Sequence, residues 1–390
     1  MTEILEERDS LGQPTGVEVD DALDARADQP TDLIHTPFDP ERIDVVTRNT
    51  TVDLLLSRIR TGRIDLQPDF QRQAGIWKRV AKSRLIESLL LRIPLPTFYA
   101  AEGEDETWAM VDGIQRLTTI AQFIEPAAVD AEPLRLTNLE YLGKEYDGKT
   151  FDDLPGRLQT RLRETELIVH LIRRGTPEEV KFNIFARINT GGLPLSRQEL
   201  RHALIPGKAR DILRDWAESD LFRSATGDSV RSERMVDREM ILRFIAFRLT
   251  DPYTYDHDDF DRFLRESMRS LNTLPVGSVE QLWSDFGLAM IAAEQIFGQY
   301  AFRKRDRNGG SRRMPINKAL FETISVNLAV VGGPGMAKLM QRARRAEDEF
   351  IGLMSDVEFQ AAISQGTGDP GKVRLRFGVI REVFESVVGR

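Results

Sequence analysis

Residues 106–124, ETWAMVDGIQRLTTIAQFI, decide the reading of this chain. The segment ETWAMVD reads as a short strand, paired with PLPTFYAAE (94–102) across the polar turn from Gly103 to Asp105. It runs straight into Gly113 and then into QRLTTIAQFI, where Leu117, Ile120, Ala121 and Ile124 fall on one face of a helix. A strand that passes at once into an amphipathic helix predicts an α/β unit. It also places the polar run Asp112-Gly-Ile-Gln-Arg116 at the junction.

The flanking sequence extends this unit. TVDLLLSRIRTGRI (51–64) has helical spacing at Val52, Leu55, Leu56 and Ile59, and Gly62 is placed as a C-terminal stop. WKRVAKSRLIESLLLRI (77–93) predicts a second helix, with Val80, Leu85, Ile86, Leu89 and Leu90 inward, ended by Pro94 and Pro96. After a loop at 126–156, RLRETELIVHLIRR (161–174) reads as a helix end passing into a buried strand, ELIVHLI. Thr176-Pro-Glu-Glu179 and Ser196-Arg-Gln-Glu199 have the form of capping boxes, the second with Leu195 and Leu200 spaced as a hydrophobic staple. Beyond residue 200 almost every segment has a 3.6-residue period. The expected class is α+β: an acidic disordered tail over 1–45, a small α/β domain over 46–175 and a helical domain over 176–390.

Of 390 residues, 41% are hydrophobic and 30% charged, ordinary globular values that exclude wholesale disorder or a fibrous repeat. No apolar run approaches the roughly 18 residues of a bilayer span, and MTEILEERDS lacks the order of a signal peptide, so a soluble cytoplasmic protein without a membrane partner is expected. The absence of cysteine excludes disulfides, zinc–thiolate sites, Fe–S clusters and thiol nucleophiles. His35, His170, His202 and His257 are too scattered for a His-based metal site. The net charge of −8 argues at first against nucleic acid. Residues 1–45, however, hold thirteen acids against three arginines and so carry −10, which leaves the remainder at +2. The tail is therefore expected to screen a slightly positive body.

Several motifs bear on chemistry. Gly143 to Thr150 satisfies GxxxxGK[ST], but a phosphate loop needs a buried strand before it and a helix directly after it, and the flanking LTNLEYL and TFDDLPG supply neither. Asp147-Gly148 reads instead as a hairpin turn, with Lys149 and Thr150 beginning a short strand. At Asp112–Arg116, free helix N–H groups, a permissive Gly113 and a guanidinium would favour an anion such as a phosphate. Asp112 there could hold Mg²⁺ or cap the helix. The structural alternative, an N-cap at Asp112 and an ion pair at Arg116, stays open on the pattern alone. Asp69-Phe-Gln-Arg72 precedes Trp77; Phe70 and Trp77 read as core anchors, whereas Gln71 and Arg72 have no comparable packing reason. Asn189-Thr-Gly-Gly192 lies between two helices, where a bare turn would need only one glycine and no asparagine. Arg303, Lys304, Arg305, Arg312 and Arg313 form the best candidate phosphate-backbone patch, with a solvated loop as the alternative. Tyr255-Asp-His-Asp-Asp259 reads as a hydrated acidic loop. No Ser–His–Asp spacing, HExxH or HNH-like histidine cluster is present.

Taken together and in order, PDFQRQAGIW (68–77), SRLIESLLLRIPLP (83–96), VDGIQRLTTIAQFI (111–124) and FARINTGGLPLSRQELRHAL (185–204) resemble the N-terminal domain of GmrSD-type restriction enzymes, whose hallmark is DGQQR. The resemblance implies a ParB/sulfiredoxin-like α/β core with an appended helical region, together with NTP binding and Mg²⁺-dependent hydrolysis. Carried onto this chain, the hallmark falls on Asp112, Gly113, Gln115 and Arg116, with Ile114 in place of its first glutamine. Asp112, Gln115 and Arg116 become the implied catalytic set. Gln71, Arg72, Gly113, Asn189, Gly191 and Gly192 become the implied nucleotide contacts. The His-containing nuclease segment of fused members has no counterpart here, so the resemblance implies DNA and a separately encoded nuclease as partners. A non-catalytic DNA-binding adaptor or scaffold is the competing expectation.

Overall fold

The computed structural model describes residues 5–8, 12–20, 42–66, 77–103, 105–188, 195–305 and 313–389. The chain forms two compact units, one of Leu33–Leu195 and one of Met1–Asp32 with Ser196–Arg390. The division therefore falls at 195/196 rather than at 175, and the N-terminus joins the helical unit across the intervening sequence.

The expected disordered tail is corrected wherever it is described. Strands β1 (Glu6–Arg8) and β2 (Pro14–Glu18) pair antiparallel as a hairpin, and Val17 is fully buried. Composition could not show this, because the carboxylates that prevent this segment from forming a core of its own find fixed cations in the helical unit. Residues 21–41 lie outside the described residues.

In the first unit, β3 (Val45–Thr51) leads directly into α1 (Val52–Arg60), where the Thr51 hydroxyl accepts from the Leu54 N–H at the N-cap. Its buried face is the expected Val52, Leu55, Leu56 and Ile59, each contributing about 1.5–3 kcal/mol before chain entropy is subtracted. The chain continues through β4 (Ile64–Asp65), α2 (Arg79–Leu90), β5 (Phe98–Glu102), β6 (Trp108–Asp112) and α3 (Ile114–Ile124). It then passes through α4 (Gly143–Tyr146), α5 (Gly156–Glu164), β7 (Glu166–Ile172) and α6 (Glu178–Ile188). The sheet order is β3-β7-β5-β6-β4. It is mixed: β3/β7 and β5/β6 are antiparallel, whereas β5/β7 and β4/β6 are parallel. Alternate strand residues, including Phe98, Ala100, Trp108, Met110, Leu167, Val169 and Leu171, join the apolar faces of α1, α2, α3 and α5 in one core. The turn expected at Asp147-Gly148 is not a hairpin. Short α4 ends there, Gly148 takes φ 81°, and no strand begins at Lys149. The surroundings of Gly143–Thr150 thus lack the strand before and the helix after that a phosphate loop requires.

The second unit is helical beyond the hairpin. Its elements are α7 (Arg197–Leu204), α8 (Lys208–Ala217), α9 (Asp220–Thr226), α10 (Val236–Leu249), α11 (Phe260–Thr273) and α12 (Val276–Phe297). There follow α13 (Lys318–Gln341), α14 (Ala343–Leu353), α15 (Val357–Ala362) and α16 (Pro370–Val388). The Ser196/Glu199 capping box is formed as expected. The architecture is α+β. Helix α13 is long and apolar enough to span a bilayer. Its first half nevertheless buries Lys318, Glu322 and Asn327 against protein partners, which is the character of a core helix.

Candidate functional site

The junction singled out by sequence is built from β5, β6 and α3. Helix α3 has four β-branched residues among its first seven, a poor intrinsic helix former, so packing rather than propensity holds it: Leu117, Ile120 and Ala121 are fully buried. Its N-cap is Gly113 at φ 88° and ψ 7°, not Asp112, and no side chain caps the first turn. Glycine is required here twice over. The left-handed backbone disfavours a Cβ, and an added Cβ would lie 2.4 Å from Phe98 Cδ1.

Arg116 is committed to the protein. Its Nη1 donates to the Pro96 carbonyl, and its Nη2 donates to Thr97 O at 3.1 Å and to Asp112 Oδ2 at 2.9 Å. The guanidinium also lies 4.5 Å above the Phe98 ring. Burial lowers its pKa, with Asp112 acting in the opposite direction. Arg116 therefore clamps the entry of β5 to the first turn of α3. The Asp112 carboxylate remains 38% exposed, with Oδ2 on Arg116. Gln115 is half-buried on the same turn. Tyr99, the register partner of Asp112 at a bulge in the β5/β6 pair, packs with its ring centroid 5.0 Å from that of His170 in a tilted arrangement, and His170 Nδ1 lies 3.0 Å from Thr47 Oγ1. This aromatic pair had no sequence signal, because the three residues come from separate strands.

Of the remaining expected nucleotide contacts, Gln71, Arg72, Asn189, Gly191 and Gly192 lie outside the described residues. Strand β4 pairs parallel with β6 and so runs toward the end of the sheet where β6 delivers Asp112.

The expected DNA patch is largely used internally. Arg303 is 2% exposed: its Nη1 donates to Met314 O and its Nη2 to Thr226 O and the Ser229 hydroxyl, while burial pushes its pKa down to about 10. Lys304 pairs with Glu18 at 2.5 Å. Arg305 pairs with Glu347 and covers the Tyr300 ring at 3.8 Å. Arg313 is exposed but donates to Thr226 O and Gly227 O, and Arg312 lies outside the described residues. Arg303, Lys304 and Arg305 thus make their contacts within the helical unit. Positive residues around glycines read as surface because a sequence does not show which carbonyls and carboxylates fold over them.

Two polar centres escaped the sequence reading. Glu87, in the middle of an apolar stripe on α2, is buried and accepts from the N–H groups of Glu140, Tyr141 and Leu142 at 2.9, 2.7 and 2.8 Å. Burial works to raise its pKa, but these donors and Arg84 hold it below the usual carboxylate value. The signal was a lone carboxylate at a core position. In the helical unit, Arg243 contacts Asp20 at 2.6 Å, Glu239 at 2.8 Å and Glu322 at 3.5 Å. Arg376 pairs with Glu322, Arg201 with Glu239 and Asp261, and Lys318 with Glu239 and Glu7. Burial alone would raise the pKa of Glu239, yet Lys318, Arg243 and Arg201 hold it well below the ordinary range. No group of three metal-ligating side chains occurs among the described residues.

Residues 52–206 match the family described as GmrSD restriction endonuclease, N-terminal domain. This span runs from the first residue of α1 to just beyond α7. No curated protein and no solved structure matches the chain.

Proposed function

We propose that the chain, whose residues 52–206 match the GmrSD N-terminal domain family, is the nucleotide-binding and nucleotide-hydrolysing component of a restriction or defence system. The observation that carries the reading is the uncapped first turn of α3 beside a half-exposed Asp112. The first N–H groups of a helix have no intrahelical acceptor, and together with the helix dipole they favour an anion. A phosphate group is the anion that fits the family premise.

In this reading Asp112 is the residue that would hold Mg²⁺. Mg²⁺ keeps several waters and takes one or two carboxylates together with the phosphates, so a single partly exposed carboxylate suits it and no protein cage is needed. When bound, the ion would supply charge neutralisation at the phosphates. Gln115 would orient the attacking water. Arg116, with its guanidinium on two backbone carbonyls and Asp112, acts as a positioning residue that fixes the carboxylate and the helix turn. Gln71, Arg72, Asn189, Gly191 and Gly192 complete the proposed nucleotide contacts, and the ParB/sulfiredoxin-like description of the sheet unit belongs to the same reading. DNA and a separately encoded nuclease are its proposed partners, and the cytoplasm its proposed location.

The test is phosphate release from a panel of NTPs with Mg²⁺, with and without DNA. Asp112→Asn preserves an acceptor for Arg116 but removes the charge, and is expected to lower turnover tenfold or more. Arg116→Ala is expected to lower it as well, through loss of the clamp. Equal turnover in the wild type and both variants would remove the site from the reaction. A non-catalytic DNA adaptor predicts DNA binding without turnover, but the internal pairing of Arg303, Lys304 and Arg305 disfavours it.

A further inference from the structure

The N-terminal strand is held in the way a bound peptide is held. Glu18 N–H donates to Ile316 O at 2.7 Å, Ile316 N–H donates to Gly16 O at 2.9 Å, and Arg231 N–H donates to Thr15 O at 3.1 Å. Val17, between them, is fully buried. Two of its acidic side chains end on cations of the helical unit within hydrogen-bonding distance: Glu18 on Lys304 at 2.5 Å and Asp20 on Arg243 at 2.6 Å. Glu18 also accepts from Asn317 Nδ2 at 3.1 Å, and Asp20 from the Thr367 hydroxyl at 2.6 Å. From β1, Glu7 reaches Lys318 at 2.5 Å. A Cβ on Gly16 would lie 1.7 Å from Ser229 O, so the backbone passes the wall of the groove where no side chain fits.

We propose that the helical unit is a receptor for an acidic, glycine-bearing extended strand, that residues 14–20 are its tethered occupant, and that a partner protein presenting such a strand docks by displacing them. The recognition pattern is Gly16-Val17-Glu18, any residue, then Asp20. The features divide as in other strand-addition sites: backbone bonds to Ile316 and Arg231 give the strand its direction, and pockets for alternate side chains give it specificity. The backbone pairing also separates a peptide from a nucleic acid. A phosphodiester chain could meet the cations at Lys304, Lys318 and Arg243, but it has no N–H to place on the Ile316 carbonyl and no counterpart for the enclosed Val17. Charge supports the choice. Lys304, Lys318 and Arg243 each lose a carboxylate partner when the strand leaves, so an exchanging ligand must return negative charge to the same places. Unit boundaries point the same way, since residues 1–32 associate with 196–390 although a separate unit lies between them in sequence.

The test uses the full chain with a protease site introduced between residues 21 and 41, cut after folding. A fluorescent synthetic peptide of residues 5–20 is then added, and exchange is followed by anisotropy. The expected result is saturable entry of one peptide per chain with release of the resident segment. A Gly16→Ala peptide is expected to bind roughly a hundredfold more weakly, because its Cβ collides with backbone. A Glu18→Gln/Asp20→Asn peptide is expected to lose about tenfold or more. Failure of the resident segment to exchange, even on prolonged incubation in sub-denaturing urea, would show it to be fixed structure and overturn the proposal. Equal binding of the Gly16→Ala peptide would do the same. Displacement of the labelled peptide by a DNA oligonucleotide as readily as by unlabelled peptide would assign the groove to nucleic acid.

Discussion

Replacing Gly113 by alanine should separate two costs that the structure assigns to that position. The residue sits at φ 88°, where an L side chain costs about 1–2 kcal/mol. The new Cβ would also fall 2.4 and 2.9 Å from Phe98 Cδ1 and Cε1. Relieving that overlap by shifting a packed ring costs about 1–3 kcal/mol more. The sum is about 2–5 kcal/mol. Gly62 supplies the control: it takes φ 66° with nothing within 4 Å of the built Cβ, so Gly62→Ala should cost only the backbone term of about 1–2 kcal/mol. Native-state hydrogen exchange at Leu117, Ile120 and Ala121, all fully buried on α3, reads the difference as lost protection. Because the Phe98 ring lies under Arg116, the same variant should loosen the clamp on Pro96 and Thr97 and lower any turnover. Equal loss of protection in the two variants would mean that Phe98 gives way freely, and would refute the claim that this junction is sterically fixed.

Other expectations concern buried charge. Burial pushes Asp237 up to about 6, against opposing contributions from Arg238, so native protein holds a proton that the unfolded chain releases above its ordinary value of 3.8. The stability this gives is complete below pH 3.8 and is lost as pH rises through 6. Burial, with Arg210, Arg238 and Arg214, pushes His202 down to about 2, so its contribution runs the other way and is lost as pH falls below 6.5. Asp237→Asn should therefore stabilise the protein by up to about 3 kcal/mol above pH 6 and steepen its acid sensitivity; denaturation midpoints at pH 5 and pH 8 that match the wild type would exclude this. Glu87→Ala leaves three backbone N–H groups at 140–142 without their acceptor and should destabilise the sheet unit by about 3 kcal/mol, with Glu87→Gln losing less; equal denaturation midpoints for the two variants would contradict it. Arg376→Met would leave Glu322, fully buried, with one cation fewer and should cost about 3–5 kcal/mol, which thermal unfolding would show directly.

Much of the local structure could be read without coordinates. The face of α1, the passage from β6 through Gly113 into α3, the join of α5 to β7 and the Ser196/Glu199 box all follow from periodicity and capping, which act over a few residues. The candidate site was legible as a set of residue types but not as a set of roles. Arg116 read either as an anion-binding cation or as one half of an ion pair, and its engagement with Pro96 O and Thr97 O depends on where β5 begins, some twenty residues away. Arg303, Lys304 and Arg305 looked like a surface for the same reason.

The sequence by itself determined the α+β class, the order of most elements and the family resemblance, because these depend on local patterns and on ordered motifs. Tertiary structure alone decided the fate of charge. Thirteen acids in the first 45 residues are a solvated tail by composition. Glu7, Glu18 and Asp20 instead become partners of Lys318, Lys304 and Arg243, from some 220 to 310 positions further along the chain. Coulomb attraction acts through space and strengthens as water is excluded, so which charges are paired can be known only once the chain has brought them together.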